Sequence, residues 1–151
     1  MESFKNHVFT QIEIKARPED VWNVLTDWEN LKKWSSSFIG ISVERMEVGE
    51  SFMVYFKNPL NGGTIELERR CITYEEGKTF GWTGEFTSGV NDHHIHTMVP
   101  MENGTTLFKQ EDGIHGKHSQ LLNLLGKKHM KTMYEKFDRE LKERVESIYK
   151  Y

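Results

Sequence analysis

Cysteine is nearly absent: the 151 residues contain one, Cys71. One thiol forms no intrachain disulfide, which fits a reducing compartment. No window approaches the roughly 20 apolar residues of a membrane-spanning helix, and Met1–Phe9 has no apolar signal region. A cytoplasmic protein without an integral membrane segment is therefore expected. Charge of one sign is missing too. The formal net charge is −3, and lysines and arginines are interspersed with acids except near the C-terminal end. Such a surface carries no electrostatic footprint for nucleic acid, so no nucleic-acid partner is expected. Repeats, linkers and low-complexity segments are absent, and the length suits one compact domain over residues 1–151. A domain of this size buries roughly two thirds of the surface its unfolded chain exposes and needs no staples. There is no Ser-His-Asp order, no Gly-rich phosphate loop and no CxxC pair, so no reaction can be read from a motif.

What the chain does have is a dense aromatic segment. Arg17–Trp34 holds three of the four tryptophans. Pro18 suits a first helical position, where its missing N–H is not needed. Glu19 and Asp20 place negative charge beside the positive end of the helix dipole. Val21, Trp22, Val24, Leu25 and Trp28 then form one apolar face. Asp27 and Asn30 can cap a second short turn that brings Leu31 and Trp34 to the same side.

Strand signals surround this segment. Val8–Lys15 alternates apolar and polar residues. Phe38–Glu44 follows the helices, with Ile39, Ile41 and Val43 on one face. Ser51–Lys57, Thr64–Tyr74, Thr79–Thr87, Val90–Pro100 and Thr105–His115 continue the pattern across short turns, which predicts an antiparallel meander. From Ser119 the period changes. Met130, Met133, Phe137, Leu141, Val145 and Ile148 recur every three or four residues, the mark of a long amphipathic helix. Its first turns, Gln120–Gly126, are apolar nearly all round, as expected where a helix start also closes a cavity.

The predicted class is α+β. A curled antiparallel sheet of about seven strands wraps round one long C-terminal helix, with two short helices after the first strand. Certain residues stand out in that order: Arg17-Pro18-Glu19-Asp20-Val21-Trp22 with Asp27 and Trp34, then Val48-Gly49, Met98-Val99-Pro100 and Gly104-Thr105. Asp112-Gly113-Ile114-His115-Gly116 then leads into the last helix. With these pieces the chain resembles the helix-grip superfamily of START lipid-transfer domains, Bet v 1 allergens and polyketide cyclase/dehydrase-like proteins, the last branch most closely. That branch often has an aromatic two residues after the acid at Asp112, where this chain has Ile114. The resemblance implies a cavity for a small apolar or amphipathic molecule between sheet and helix. It implies no shared catalytic residue.

The His93-His94-Ile95-His96 run is the sharpest polar feature. Strand alternation puts His94, His96 and Met98 on one face and His93, Ile95, Thr97 and Val99 on the other. The resemblance places Met98 inward, and His94 and His96 with it; His93 beside Asp92 is read as solvent-facing. Phe80, Trp82, Gly84 and Phe86 share a face of the neighbouring strand, a candidate aromatic wall. Three readings of the inward histidines stand side by side. They hydrogen-bond to neighbours at a polar end of the pocket, or they orient a ligand carbonyl or hydroxyl. In the third reading they join Asp112, His115 or His118 around a metal. Arg69 shares the more apolar face of its strand with Cys71, Leu67 and Ile65, so it needs an acid if it points inward. A structural ion pair is as good a reading there as a catalytic one. Cys71 reads as a small buried hydrophobe.

The candidate ligand-binding residues are Trp34, Phe56, Arg69, Phe80, Trp82, His94, His96, Met98, Asp112, Leu122 and Leu125. No metal ligand and no cofactor is assigned. Binding of a small molecule by a monomer or homodimer leads the expected functions. A cyclase or dehydratase using His94, His96 and Asp112 comes second, and a co-chaperone-like interaction module third.

Overall fold

The computed structural model describes the backbone of residues 7–87, 89–116 and 119–150; side chains are described throughout these except at 86, 87, 116 and 119–127. The order is β1 (His7–Ile14), α1 (Pro18–Leu25), a 3-10 helix (Trp28–Lys33), β2 (Phe38–Ile41), β3 (Ser51–Lys57), β4 (Thr64–Glu75), β5 (Thr79–Thr87), β6 (Val90–Pro100), β7 (Thr106–Gly116) and α2 (Ser119–Ile148). One antiparallel sheet runs β1-β7-β6-β5-β4-β3-β2. It is curled and unclosed around α2, the helix-grip arrangement.

α1 forms where its signals lie. Pro18 opens it with Glu19 and Asp20 in the first turn, and Val21, Trp22, Val24 and Leu25 are buried. Arg17 supplies no side-chain cap, but its Nε donates to Asp20 Oδ2 at 3.3 Å. Thr26 closes the helix by donating from Oγ1 to the Trp22 carbonyl at 2.8 Å. The Trp22 ring meets Tyr74 and Phe80 edge-on. Burying each large apolar side chain stabilises the fold by roughly 1.5–3 kcal/mol, so this short helix is held by packing.

β2 departs from the expected pattern. It ends at Ile41, and a bulge between Phe38 and Gly40 breaks the alternation. The extra residue turns both Phe38 and Ile41 inward, in place of the Ile39–Ile41–Val43 face. Gly40 has φ +152°, a backbone conformation that side chains with a Cβ rarely adopt, so the bulge favours glycine there; a Cβ would make only ordinary contact, 3.5 Å from the Trp28 carbonyl oxygen.

Register sets the concave face. Val8, Asp112, His94, Trp82 and Cys71 form one cross-strand row. Thr10, Gln110, His96 and Phe80 form the next. α2 lays Tyr134, Phe137, Leu141 and Val145 over these rows, all buried.

Candidate functional site

A cavity of about 270 Å³ lies between residues 129–134 of α2 and strands β3–β7. Phe56, Ile65, Leu67, Trp82, Ile114, Met130 and Met133 supply its apolar wall. Arg69, Asp92, His94, Asp112 and Tyr134 form a polar end, with Lys57, Pro59 and His129 also in the lining. Each strand contributes by parity, because residues two apart share a face.

The polar end is a connected network. Arg69 Nη2 donates to Asp92 Oδ2 at 2.9 Å and Nη1 to the Glu68 carbonyl at 2.7 Å. Gly84 makes room for this: a Cβ there would lie 2.5 Å from Arg69 Nη1. Burial outweighs the Arg69 charge and holds the Asp92 carboxyl above its usual range. Tyr134 Oη donates to Asp112 Oδ2. Burial pushes Asp112 up to about 7, against the pull of that hydrogen bond. The Tyr134 phenol is held well above its ordinary value by burial and by Asp112.

Gln110 fixes the state of His94. Gln110 Nε2 donates to Asp138 Oδ1 at 2.6 Å and to the Tyr134 carbonyl at 3.3 Å. Its Oε1 therefore accepts from His94 Nε2 at 2.7 Å. Burial lowers His94 to about 4, so the ring is neutral and Nδ1 carries a lone pair. That lone pair faces Asp112 Oδ2 at 3.6 Å. Two acceptors can share this space because Asp112 retains its proton up to about neutral pH. Oδ1 of Asp92 and Oδ1 of Asp112 are buried with no well-formed hydrogen bond among the described residues, although the Gly113 backbone N–H is near enough to pull the Asp112 carboxyl down.

Of the candidate residues, Phe56, Arg69, Trp82, His94 and Asp112 line this cavity. Phe80, His96 and Met98 face inward but belong to the filled part of the core, each at 1% exposure or less. The His96 ring stacks on Phe80 at 4.5 Å and on His94 at 4.2 Å, which leaves no space beside it. Trp34 packs on Phe137 with ring centroids 5.4 Å apart, outside the cavity lining. The side chains of Leu122, Leu125 and Phe86, and all of His118, lie outside the described residues. The grouping of His94 and His96 with His115 around a metal is not formed. His115 is an odd number of residues from Asp112, so it points to the opposite face of β7. His93 is on the outer face as expected, but it is half-buried against His7 and His115 rather than solvated.

Asp92, Gln110 and Tyr134 are the site residues that sequence reasoning missed. Asp92 shares parity with His94, and Gln110 with Asp112. Tyr134 falls four residues after Met130, on the same helix stripe. Those signals were present. Cys71 is buried, its thiol pushed up by burial, and it takes no part in the cavity.

The family model for polyketide cyclase / dehydrase and lipid transport matches residues 5–146. No curated protein matches the sequence. Solved structures share the fold at low identity. A START superfamily protein from Mycobacterium smegmatis is 14% identical, with 95% of this chain and 99% of that chain covered and a TM-score of 0.68. A protein from Thermus thermophilus is 17% identical, with coverage of 94% and 98% and a TM-score of 0.69. Ara h 8.0201 is 14% identical, with coverage of 93% and 97% and a TM-score of 0.68.

Proposed function

The chain belongs to the polyketide cyclase / dehydrase and lipid transport family, and from that premise we propose that it binds a compact amphipathic molecule in the cavity beneath residues 129–134 of α2. One observation carries the reading. An apolar-walled space has Asp92 and Asp112 at its polar end, each with one buried carboxyl oxygen that lacks a full hydrogen bond among the described residues. A buried polar atom left without a hydrogen bond is unfavourable by roughly 1–3 kcal/mol. A ligand hydroxyl or amine donating to these oxygens removes that penalty, while its apolar body covers Trp82, Leu67 and Met133. The volume sits just below the roughly 300–1,000 Å³ of typical ligand pockets, which favours a ring-sized molecule over a long acyl chain. The reading takes the protein as cytoplasmic, supported by its single buried thiol.

Native mass spectrometry of protein purified from its own host tests this. The expected result is a small molecule retained at one per chain and lost in Met133→Trp, which fills the cavity. A bare mass, together with no saturable uptake of an apolar fluorescent probe, would sink the proposal.

A second reading, an enzyme of cyclase or dehydratase type, is favoured by Asp112 alone. A carboxyl held at about 7 beside Tyr134 and His94 has the pKa that general acid–base catalysis needs at neutral pH. Once the ligand is known, Asp112→Asn separates the two. Turnover lost with binding kept supports catalysis; absence of any turnover in the wild-type protein leaves binding as the function.

A further inference from the structure

The outer face of the sheet, opposite the cavity, gathers His7, His93, His115 and Glu111 from three adjacent strands. Register brings them together: His7 on β1 pairs with Gly113 on β7, which pairs with His93 on β6. Gly113 is the floor of the cluster. A Cβ there would lie 2.5 Å from His93 Cε1 and 2.8 Å from His7 Cδ2, so the two rings close over the central strand only because that position is glycine. Each of the three imidazoles has a ring nitrogen within 4.8 Å of the others'.

Three donor atoms form a compact triangle. His7 Nε2 and His93 Nε2 are 3.2 Å apart. Glu111 Oε1 lies 3.4 Å from His7 Nε2 and 3.7 Å from His93 Nε2. Zinc–nitrogen bonds of about 2.0–2.1 Å place two ligands of a tetrahedron about 3.3–3.4 Å apart. The triangle therefore has the size of one face of a tetrahedral zinc site. His93 Nδ1 meets His115 Nε2 at 2.5 Å. With the proton on Nδ1, His93 donates to His115 and turns its Nε2 lone pair to the triangle. A ring N–H held in this way fixes tautomer and orientation, as the outer-shell partners of metal-bound histidines do.

We infer that this face binds one zinc-like divalent ion through His7 Nε2, His93 Nε2 and Glu111 Oε1, with His115 as the positioning residue. Two imidazoles and a carboxylate suit a borderline-soft ion rather than calcium or magnesium, which prefer all-oxygen shells. Three protein ligands leave a fourth position for water or another donor. The ion would tie the edge strand β1 to β6 across β7. The inference uses no residue of the cavity lining.

The test titrates zinc chloride into the full chain, free of any histidine tag and stripped with a chelator, by calorimetry. One equivalent is expected. His7→Ala and His93→Ala should each weaken binding by more than about 100-fold, and His115→Ala by about 10–100-fold, the range for an outer-shell partner. Gly113→Ala should weaken it as well, with the three ligands and His115 all retained. No stoichiometric uptake, or affinity unchanged in His7→Ala and His93→Ala, overturns the inference. If those variants do not fold, cobalt(II) on the unaltered protein decides. The intense visible absorption of a four-coordinate ion supports the site, and the weak spectrum of a six-coordinate ion overturns it.

Discussion

Along β6, Met98 and His96 lie beneath tightly packed side chains, whereas His94 and Asp92, a few residues earlier on the same face, line a cavity. Both ends of the concave face belong to the same strands. They differ in what covers them. At the closed end Trp22 from α1 and Trp28 from the 3-10 helix meet Phe80 edge-on, and Phe108 and Phe137 complete the aromatic core. At the open end the cover is Met130, Met133 and Tyr134 from the first half of α2. Flat rings stacked from several elements leave no gap, while flexible thioethers above a bare strand face do. Charged groups collect at the open end, where Arg69, Asp92 and Asp112 can be satisfied by one another or by a guest.

The largest effect expected is at the polar end. Arg69→Ala leaves the half-buried Asp92 beside no countercharge, and removing the buried partner of such a pair destabilises by up to about 3–5 kcal/mol. Urea unfolding measures it. The double variant Arg69→Met/Asp92→Leu should recover most of that loss; no recovery would mean the arginine acts by packing alone. At the closed end, Phe80→Ala should be destabilising by about 3–5 kcal/mol, because the surrounding rings cannot collapse into the void. Leu67→Ala, on the cavity wall, should fall near about 1 kcal/mol. Equal losses at the two positions would erase the distinction between filled and open ends.

Much of this contrast was legible in the sequence. Strand parity grouped His94 with His96 and Met98, Arg69 with Cys71, and Trp82 with Phe80, and the family resemblance turned the His94 face inward; the side chains of the apolar start of α2 lie outside the described residues. The division of that face was not legible. Whether His96 or His94 borders open space depends on how far α1 reaches along β6, and no local pattern encodes that distance. The β2 bulge was hidden too, since the positive φ of Gly40 belongs to the shifted pairing of β2 with β3 and leaves no mark in the local alternation. The outer histidines were missed through separation. His7 and His93 are 86 residues apart and meet only through the β1–β7–β6 register.

The polar end should also give stability a pH signature. Asp112 rises from 3.8 to about 7 on folding. Between those values the folded protein holds a proton that the unfolded chain has lost. Its contribution to stability is complete below about pH 4 and is lost as pH rises to about 7, with a slope of at most about 1.4 kcal/mol per pH unit. Burial raises this carboxyl, against the hydrogen bonds from Tyr134 and the Gly113 backbone and the charges of Arg69 and His115; His94 Nδ1 also faces it at 3.6 Å. Asp138, raised to about 6, adds the same sign. His93 and His94, lowered from 6.5 to about 4, act oppositely: the unfolded chain binds their protons first, so stability is lost as pH falls through that window. The net curve mixes these terms, and the difference between wild type and Asp112→Asn isolates one. That difference should change steadily from pH 4 to 7 and level off above; a flat difference would show that Asp112 titrates normally.

The smallest change in stability, and the one most specific to the open end, should come from filling it. Met133→Phe adds volume where the cavity has room, so unfolding free energy should move by less than about 1.5 kcal/mol, as for a tolerated core substitution. Met98→Phe adds the same volume where Phe108 already stands opposite, and overpacking there should be destabilising by about 1–3 kcal/mol. The two variants carry identical chemistry, so a difference between them reports free space alone. Ligand or probe binding should follow the reverse order, abolished by Met133→Phe and kept by Met98→Phe in the folded fraction. If Met133→Phe is the more destabilising of the pair, the space beneath α2 is already filled in solution, and the two ends of the concave face are one continuous core.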